Sequence, residues 1–395
     1  MAKQGFKVID SDIHVVEPQD LWLRYLEPEF VKDGPRPAEP GKGLWQIGDR
    51  PVPVRADIPG RQEDIAIRRA RTKDRYKKLG RREGEDHSSP VDMLAAMDTE
   101  GLDLGVVFRT YTAHATGTDD IEPRLAAAIC RAFNDWLRDF CNANPTRMLP
   151  TAQMALHDVD LAVAEARRAV KELGAVALVL PNHLVKGRPF YDRYYDPLWA
   201  TAVDLNVAVA FHGINLAHHG HVGVRYYDNF PLAHASGHAI ESMLTLGAML
   251  TGGVFERFPT MRAAFLEGLC SWAPSWLYCL DERWEKFGNE RRYGLKHPPS
   301  YYFRRQCFLS VDADEELVVD TIKALGDENI VISTDWPHGD SSYPQALNTF
   351  LNISGVSDQS RRKILWDNCA RLYNLPDGVA RRQSAGELTR RVRSD

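Results

Sequence analysis

A closed (β/α)8 barrel, an α/β fold, is what this sequence predicts, and three observations lead to it. Eight short apolar runs rich in β-branched residues are spread along the 395 residues, and stretches of helical period separate most of them. Several of the runs are continuously apolar rather than alternating, as parallel strands covered on both faces should be. No glycine-rich phosphate fingerprint of an open dinucleotide-binding sheet accompanies them.

Taken in order, the predicted strands are 8–16 (VIDSDIHVV), 104–110, 148–156, 175–181, 207–213, 261–268, 307–313 and 329–335 (NIVISTD). Helical stretches precede most of them: 91–101 before the second, 123–144 before the third, 158–174 before the fourth, 196–206 before the fifth and 235–253 before the sixth. Segments 274–288 and 315–326 follow. Asp158 and Asp160 stand where N-caps are wanted, and Gly174 and Gly326 where C-cap glycines are wanted. The gap between the first two strands, residues 17–91, is too long for an ordinary loop. It opens Pro/Gly-rich and continues into a charged segment, 61–86, which reads either as a solvated helix or as a lid over the barrel mouth. In the second case Arg68, Arg69 and Arg71 face an anionic substrate. Residues 1–376 are thus expected to form one barrel unit carrying the 17–91 insertion, with 377–395 as a polar tail.

Composition narrows the function. Lys and Arg number 49 against 54 Asp and Glu, a net charge of −5, which argues against a nucleic-acid partner. No run reaches the roughly 18 apolar residues of a membrane span, and the N-terminal stretch lacks the apolar core of a secretory leader. Six cysteines are scattered with no CxxC pair, as in a reduced, cytoplasmic protein.

The chemistry concentrates at strand ends. In a strand, residues i and i+2 share a face, so Asp12 and His14 enter the lumen together at the C-terminal end of the first strand. His212 ends the fifth strand, Glu267 lies near the end of the sixth, and Asp335 ends the eighth. Two imidazoles and two carboxylates converging on one mouth suit a divalent ion with an open position.

With VIDSDIHVVEP, YYDPLWATAVDLNVAVAFHG, GVFERFPTMRAAFLEGLCSWAPSWLYCLDERWE, ISTDWPH and ILWDNCARLYNL in view, the chain resembles the amidohydrolase superfamily. The branch is the one containing aminocarboxymuconate-semialdehyde decarboxylase and the resorcylate-type decarboxylases. The resemblance implies a metal-dependent hydrolase or non-oxidative decarboxylase acting on a small carboxylated cyclic or aromatic compound. It implies metal ligands at Asp12, His14, His212 and Asp335, and catalytic roles for His238 and Asp335. One divalent ion is the default, zinc first, with manganese or iron as alternatives. The departures are DxH in place of HxH in the first strand, Glu267 in place of a histidine in the sixth, and no lysine in the fourth. Glu267 and the cluster His218, His219 and His221 leave room for a second ion, so a dinuclear iron or manganese oxygenase is the alternative. A non-catalytic subunit paired with an active paralogue is a third reading.

Arg109 is placed either against a substrate carboxylate or in a structural ion pair. His338 is placed near the substrate or as a prop for the Asp335 loop, and His238 has a helix-core alternative. A homo-oligomer is expected, with the aromatic segment WAPSWLYCLDERW serving as an interface or as ordinary helix core.

Overall fold

Eight parallel strands form the ring. The structure is a computed structural model that describes residues 3–37, 45–52, 61–82, 84–213, 222–226, 228–288 and 293–376. The strands are β1 (Ile9–His14), β2 (Leu104–Phe108), β3 (Met148–Pro150, continued by Ala152–Gln153), β4 (Ala177–Pro181), β5 (Ala208–His212), β6 (Ala263–Leu266), β7 (Cys307–Asp312) and β8 (Ile330–Ser333). Each lies within its predicted run.

Neighbours in sequence are neighbours in the ring. β1 pairs β2 with a register break between Asp10 and Ile13, and β2 pairs the first half of β3. At Thr151 the backbone N–H and the hydroxyl both bond Val107 O, and β3 turns so that its second half pairs β4. The remaining strands pair in order from β4 to β8. Side chains join β8 to β1: Ser11 Oγ donates to Ile332 O at 2.7 Å, and the Asp10 carboxylate accepts from Thr334 N at 3.2 Å and from the Thr334 hydroxyl.

Period-two alternation divides the core. Leu104, Val106 and Phe108 face the lumen, whereas Val107 joins the larger cluster between strands and helices. Cys369, Leu372 and Tyr373 of the last helix belong to the lumen cluster, together with residues at the N-terminal ends of the strands such as Ile9 and Leu104. Polar chemistry is thereby left to the opposite mouth.

The helices begin where capping chemistry allows. Asp158 accepts from Asp160 N and Leu161 N, so it is the N-cap of Val159–Glu172, while Asp160 sits inside the first turn. Gly174 and Gly326 both have positive φ, as expected after helix ends. The aromatic segment forms the helix Ala273–Phe287, with Trp276 and Trp284 packed on the core and Tyr278 and Phe287 exposed.

The insertion holds one feature the sequence reading lacked. Pro35–Pro37, Trp45–Ile47 and Arg50–Val52 pair as a small antiparallel sheet within the Pro/Gly-rich stretch. The charged segment forms the helix Arg61–Leu79. Arg75 donates to Gly339 O at 2.8 Å and Arg81 to Pro337 O at 2.8 Å, docking the helix and its C-terminal extension on the loop after β8. The tail 377–395 and the histidines His218, His219 and His221 lie outside the described residues.

Candidate metal centre

Asp12 and His14, fully buried on β1, meet His212 from the end of β5. His14 Nε2 is 3.1 Å from Asp12 Oδ1, His212 Nε2 is 3.1 Å from Asp12 Oδ2, and the two Nε2 atoms are 3.2 Å apart. The other ring nitrogen of His14 lies 2.7 Å from Arg109 O, a carbonyl that only accepts. That contact fixes the proton on Nδ1 and turns the Nε2 lone pair into the site. His212 Nδ1 lies 2.9 Å from Gly213 O, which only accepts, and 2.8 Å from Arg109 Nη1, which only donates, so its two neighbours call for opposite tautomers.

Two carboxylates extend the cluster just beyond β6 and β8. Glu267 Oε2 is 3.3 Å from His212 Nε2, and Asp335 Oδ1 is 3.4 Å from His14 Nε2. Both residues have left-handed backbone, with φ of 50° and 53°. Such strain in a side-chain-bearing residue costs on the order of 1–3 kcal/mol and concentrates at functional sites. It aims both carboxylates inward at the strand ends.

His238 approaches from a π-helical turn, Ser236–Ile240, another local irregularity found often at working sites. Its Nδ1 is 3.4 Å from Glu267 Oε1. Gly213 makes that approach feasible, because a Cβ there would lie 2.4 Å from His238 Nδ1. His338 Nδ1 is 2.7 Å from Asp335 Oδ1 and its Nε2 is 3.1 Å from Thr110 Oγ1. It therefore props Asp335, while its ring also lines the cavity.

The electrostatics favour a cation. Burial alone would raise Asp12, and only cationic His212 and His14 rings would hold its carboxyl well below the usual range; with neutral rings as ligands that countercharge falls to the ion. His14 is pushed down to about 3, chiefly by burial and then by His338, so it stays neutral as a ligand must. Glu267 and Asp335 are driven well above their ordinary values, by burial first and then by neighbouring carboxylates. Neither oxygen of Asp12 meets a hydrogen-bond donor among the described residues. Acidic oxygens held together in this way need a countercharge.

The spacing supplies the second half of the fit. Ligand atoms about 2.1 Å from a common ion are separated by about 3.0–3.4 Å in octahedral or tetrahedral geometry, and the contacts among Asp12, His14 and His212 fall in that range. The chain therefore carries a His/Asp/Glu site for a divalent ion.

Arg109 sits behind the cluster. Its Nε donates to Gln153 Oε1 at 3.1 Å, Nη1 lies 2.8 Å from His212 Nδ1, and Nη2 donates to His212 O at 3.2 Å. These bonds give Arg109 a structural role, with hydrogen bonds in place of an ion pair, and it also lines the cavity where a substrate carboxylate would lie. Sequence reasoning missed His234, whose ring lies 4.4 Å from that of His238 and whose Nε2 is 3.3 Å from Asp340 Oδ2. The signal was available in HASGH, since residues four apart share a helix face. The cluster opens into a cavity of about 1000 Å3, whose lining includes Arg68, Arg69, Arg71 and Tyr76 from the inserted helix.

A family model described as amidohydrolase matches residues 9–375. The chain belongs to the amidohydrolase superfamily. This amidohydrolase is 27% identical over 288 residues to γ-resorcylate decarboxylase of Polaromonas sp. JS666, covering 71% of this chain and 85% of the relative. It is similar in fold to 5-carboxyvanillate decarboxylase from Sphingomonas paucimobilis, with a TM-score of 0.68 and 19% identity over 94% of this chain and all of that one. A dihydroxybenzoic acid decarboxylase from Polaromonas sp. JS666, solved with manganese and 2-nitroresorcinol, gives a TM-score of 0.64 at 20% identity, covering 94% of this chain and 97% of that one. No helix among the described residues is long and apolar enough to cross a membrane.

Proposed function

We propose that this amidohydrolase is a metal-dependent, non-oxidative decarboxylase of small carboxylated aromatic compounds, a reading that extends to hydrolysis of related substrates. The observation that carries it is the buried Asp12, His14 and His212 triangle, flanked by Glu267 and Asp335 and open to one cavity. The decarboxylase names of the relatives support the substrate class.

Asp12, His14 and His212 would hold the ion, with Asp335 or Glu267 completing its ligands. A divalent ion there supplies Lewis-acid charge beside the substrate's oxygens. Asp335, in its protonated form and hydrogen-bonded to His338, would deliver a proton to the ring carbon as the carbon–carboxylate bond breaks and CO2 leaves. The proton is restored along His338 and Thr110. In the hydrolytic version Asp335 takes a proton from water and His238 steadies the developing oxyanion. His238 otherwise orients substrate beside Glu267, and His338 and Arg109 hold the surrounding loops.

The reading treats 1–376 as one barrel unit, with 17–91 as its lid-bearing insertion. It also includes a cytoplasmic setting, supported by six unpaired cysteines, and self-association through exposed side chains such as Tyr278 and Phe287. The test is anaerobic turnover of 2,6-dihydroxybenzoate by protein loaded with Mn2+ or Zn2+. Stoichiometric CO2 is expected from the parent protein and at least a hundredfold less from Asp335→Asn; full turnover by that variant overturns the reading.

One observation favours a second reading. His234, His238 and Glu267 form a further ligand set, and Glu267 turns one oxygen to His212 and the other to His238. A two-ion, oxygen-dependent enzyme would use that bridge. Two ions per chain and substrate-dependent oxygen uptake would establish it in place of decarboxylation.

A further inference from the structure

The inserted helix Arg61–Leu79 covers the mouth with the opposite charge to the floor. Ile65, Arg68, Arg69, Thr72 and Tyr76 lie on one helical face and line the cavity, and Arg71 and Lys73 flank that face and reach the same space. Arg75 and Tyr76 anchor the helix to the backbone of the loop after Asp335, through Gly339 O and Pro337 O. Arg68 stacks on Phe230, with its guanidinium carbon 3.7 Å from the ring centroid. Among the described residues, Arg69, Arg71 and Lys73 have no ion-pair partner. Asp340, an acid of the cavity wall, lies 3.3 Å from His234.

Two further facts bear on what occupies this space. The floor presents Glu267 beside the His14 and His212 rings, and Asp12 and Asp335 lie behind them, 3.1 and 3.4 Å from His14 Nε2, so a ligand held there meets the acidic cluster below and cations above. At about 1000 Å3 the cavity lies at the top of the range for drug-sized ligands and is far larger than a single carboxylated ring needs. Guanidinium groups pair in bidentate fashion with carboxylate or phosphate.

We infer that the substrate is a two-ended acid: one end engages the metal cluster, and a second anionic group, carboxylate or phosphate, is bound by Arg69 and Arg71 of the lid helix. Arg68 and Lys73 border that subsite. This inference rests on the metal-site reading above and makes the inserted helix the determinant of substrate length and charge.

The test measures binding, not turnover, by titration calorimetry on full-length protein loaded with Mn2+. The probes are biphenyl-4-carboxylate, biphenyl-4,4′-dicarboxylate and 4′-phosphonobiphenyl-4-carboxylate. The double-ended acids are expected to bind about tenfold more tightly than the monoacid, the scale of a charge-assisted hydrogen bond. Arg69→Ala/Arg71→Ala should abolish that preference without changing monoacid affinity, and Arg69→Lys/Arg71→Lys should retain most of it. Because both arginines are largely exposed, 0.5 M NaCl should shrink the preference. The stronger of the two double-ended probes identifies the distal group. Equal affinity for one- and two-ended acids, or a preference that survives the double alanine variant, overturns the inference. Monoacid binding that is indifferent to metal would overturn the metal-site reading instead, and failure of every acid to bind would overturn both.

Discussion

Gly213→Ala tests how closely the site is built. A methyl at 213 would lie 2.4 Å from His238 Nδ1, where ordinary contacts begin at 3.4 Å. The ring must therefore retreat by about 1 Å, a misplacement that can cost about a hundredfold in turnover. Overpacking adds a stability cost of about 1–3 kcal/mol. Steady-state decarboxylation, thermal denaturation and elemental analysis should be run on the same preparation. The expected result is a kcat about a hundredfold lower, a folded protein and unchanged metal content, since His238 stands outside the Asp12, His14 and His212 triangle. A folded variant with parental kcat would refute the role given to His238. Loss of metal with activity would show that the displacement reaches the triangle.

Other perturbations separate binding, stability and proton transfer. Asp12→Asn removes the carboxylate between the two imidazoles and should lower metal affinity by at least tenfold, measured by competition with a chelator. Glu17→Gln should lower stability by about 1–3 kcal/mol in a denaturant titration, because its carboxylate accepts from Tyr111 N and Thr112 N at 2.8 Å each and from the Thr112 hydroxyl at 2.7 Å. Glu241 is buried and pushed up to about 7 from 4.5. Below pH 4.5 it is protonated whether folded or not, and between 4.5 and 7 the unfolded chain ionises first, so folding stability falls. Relative to the parent, Glu241→Gln should therefore gain up to about 3 kcal/mol across that window and gain nothing more above it; a pH-independent difference would contradict the assignment.

The strands and five of the metal-cluster side chains were legible because they depend on local pattern. Continuous apolar runs fix the strands, and a polar residue ending such a run can only stand at the mouth. Asp12, His14, His212 and Asp335 were readable on that ground, and so was Glu267 near the end of the sixth run. The features that escaped are made by lateral packing. Asp10 clasps Thr334 across the closure between β8 and β1, a contact between residues more than 300 apart. Arg109 lines the cavity but is bonded to the His212 backbone, because Gln153 and the His212 carbonyl meet it there. The small sheet was hidden by prolines at 35, 37 and 51, which usually mark edges and turns. The charged helix carried both its readings in one sequence, and only its docking on the Asp335 loop places it over the cavity.

Metal stoichiometry bears most directly on the whole account. Protein stripped with a chelator and dialysed against Mn2+ or Zn2+ should retain one tightly held ion per chain by elemental analysis, and His212→Ala should retain less than a tenth of that. A parent protein that retains none, or a His212→Ala variant that retains a full equivalent, would contradict it.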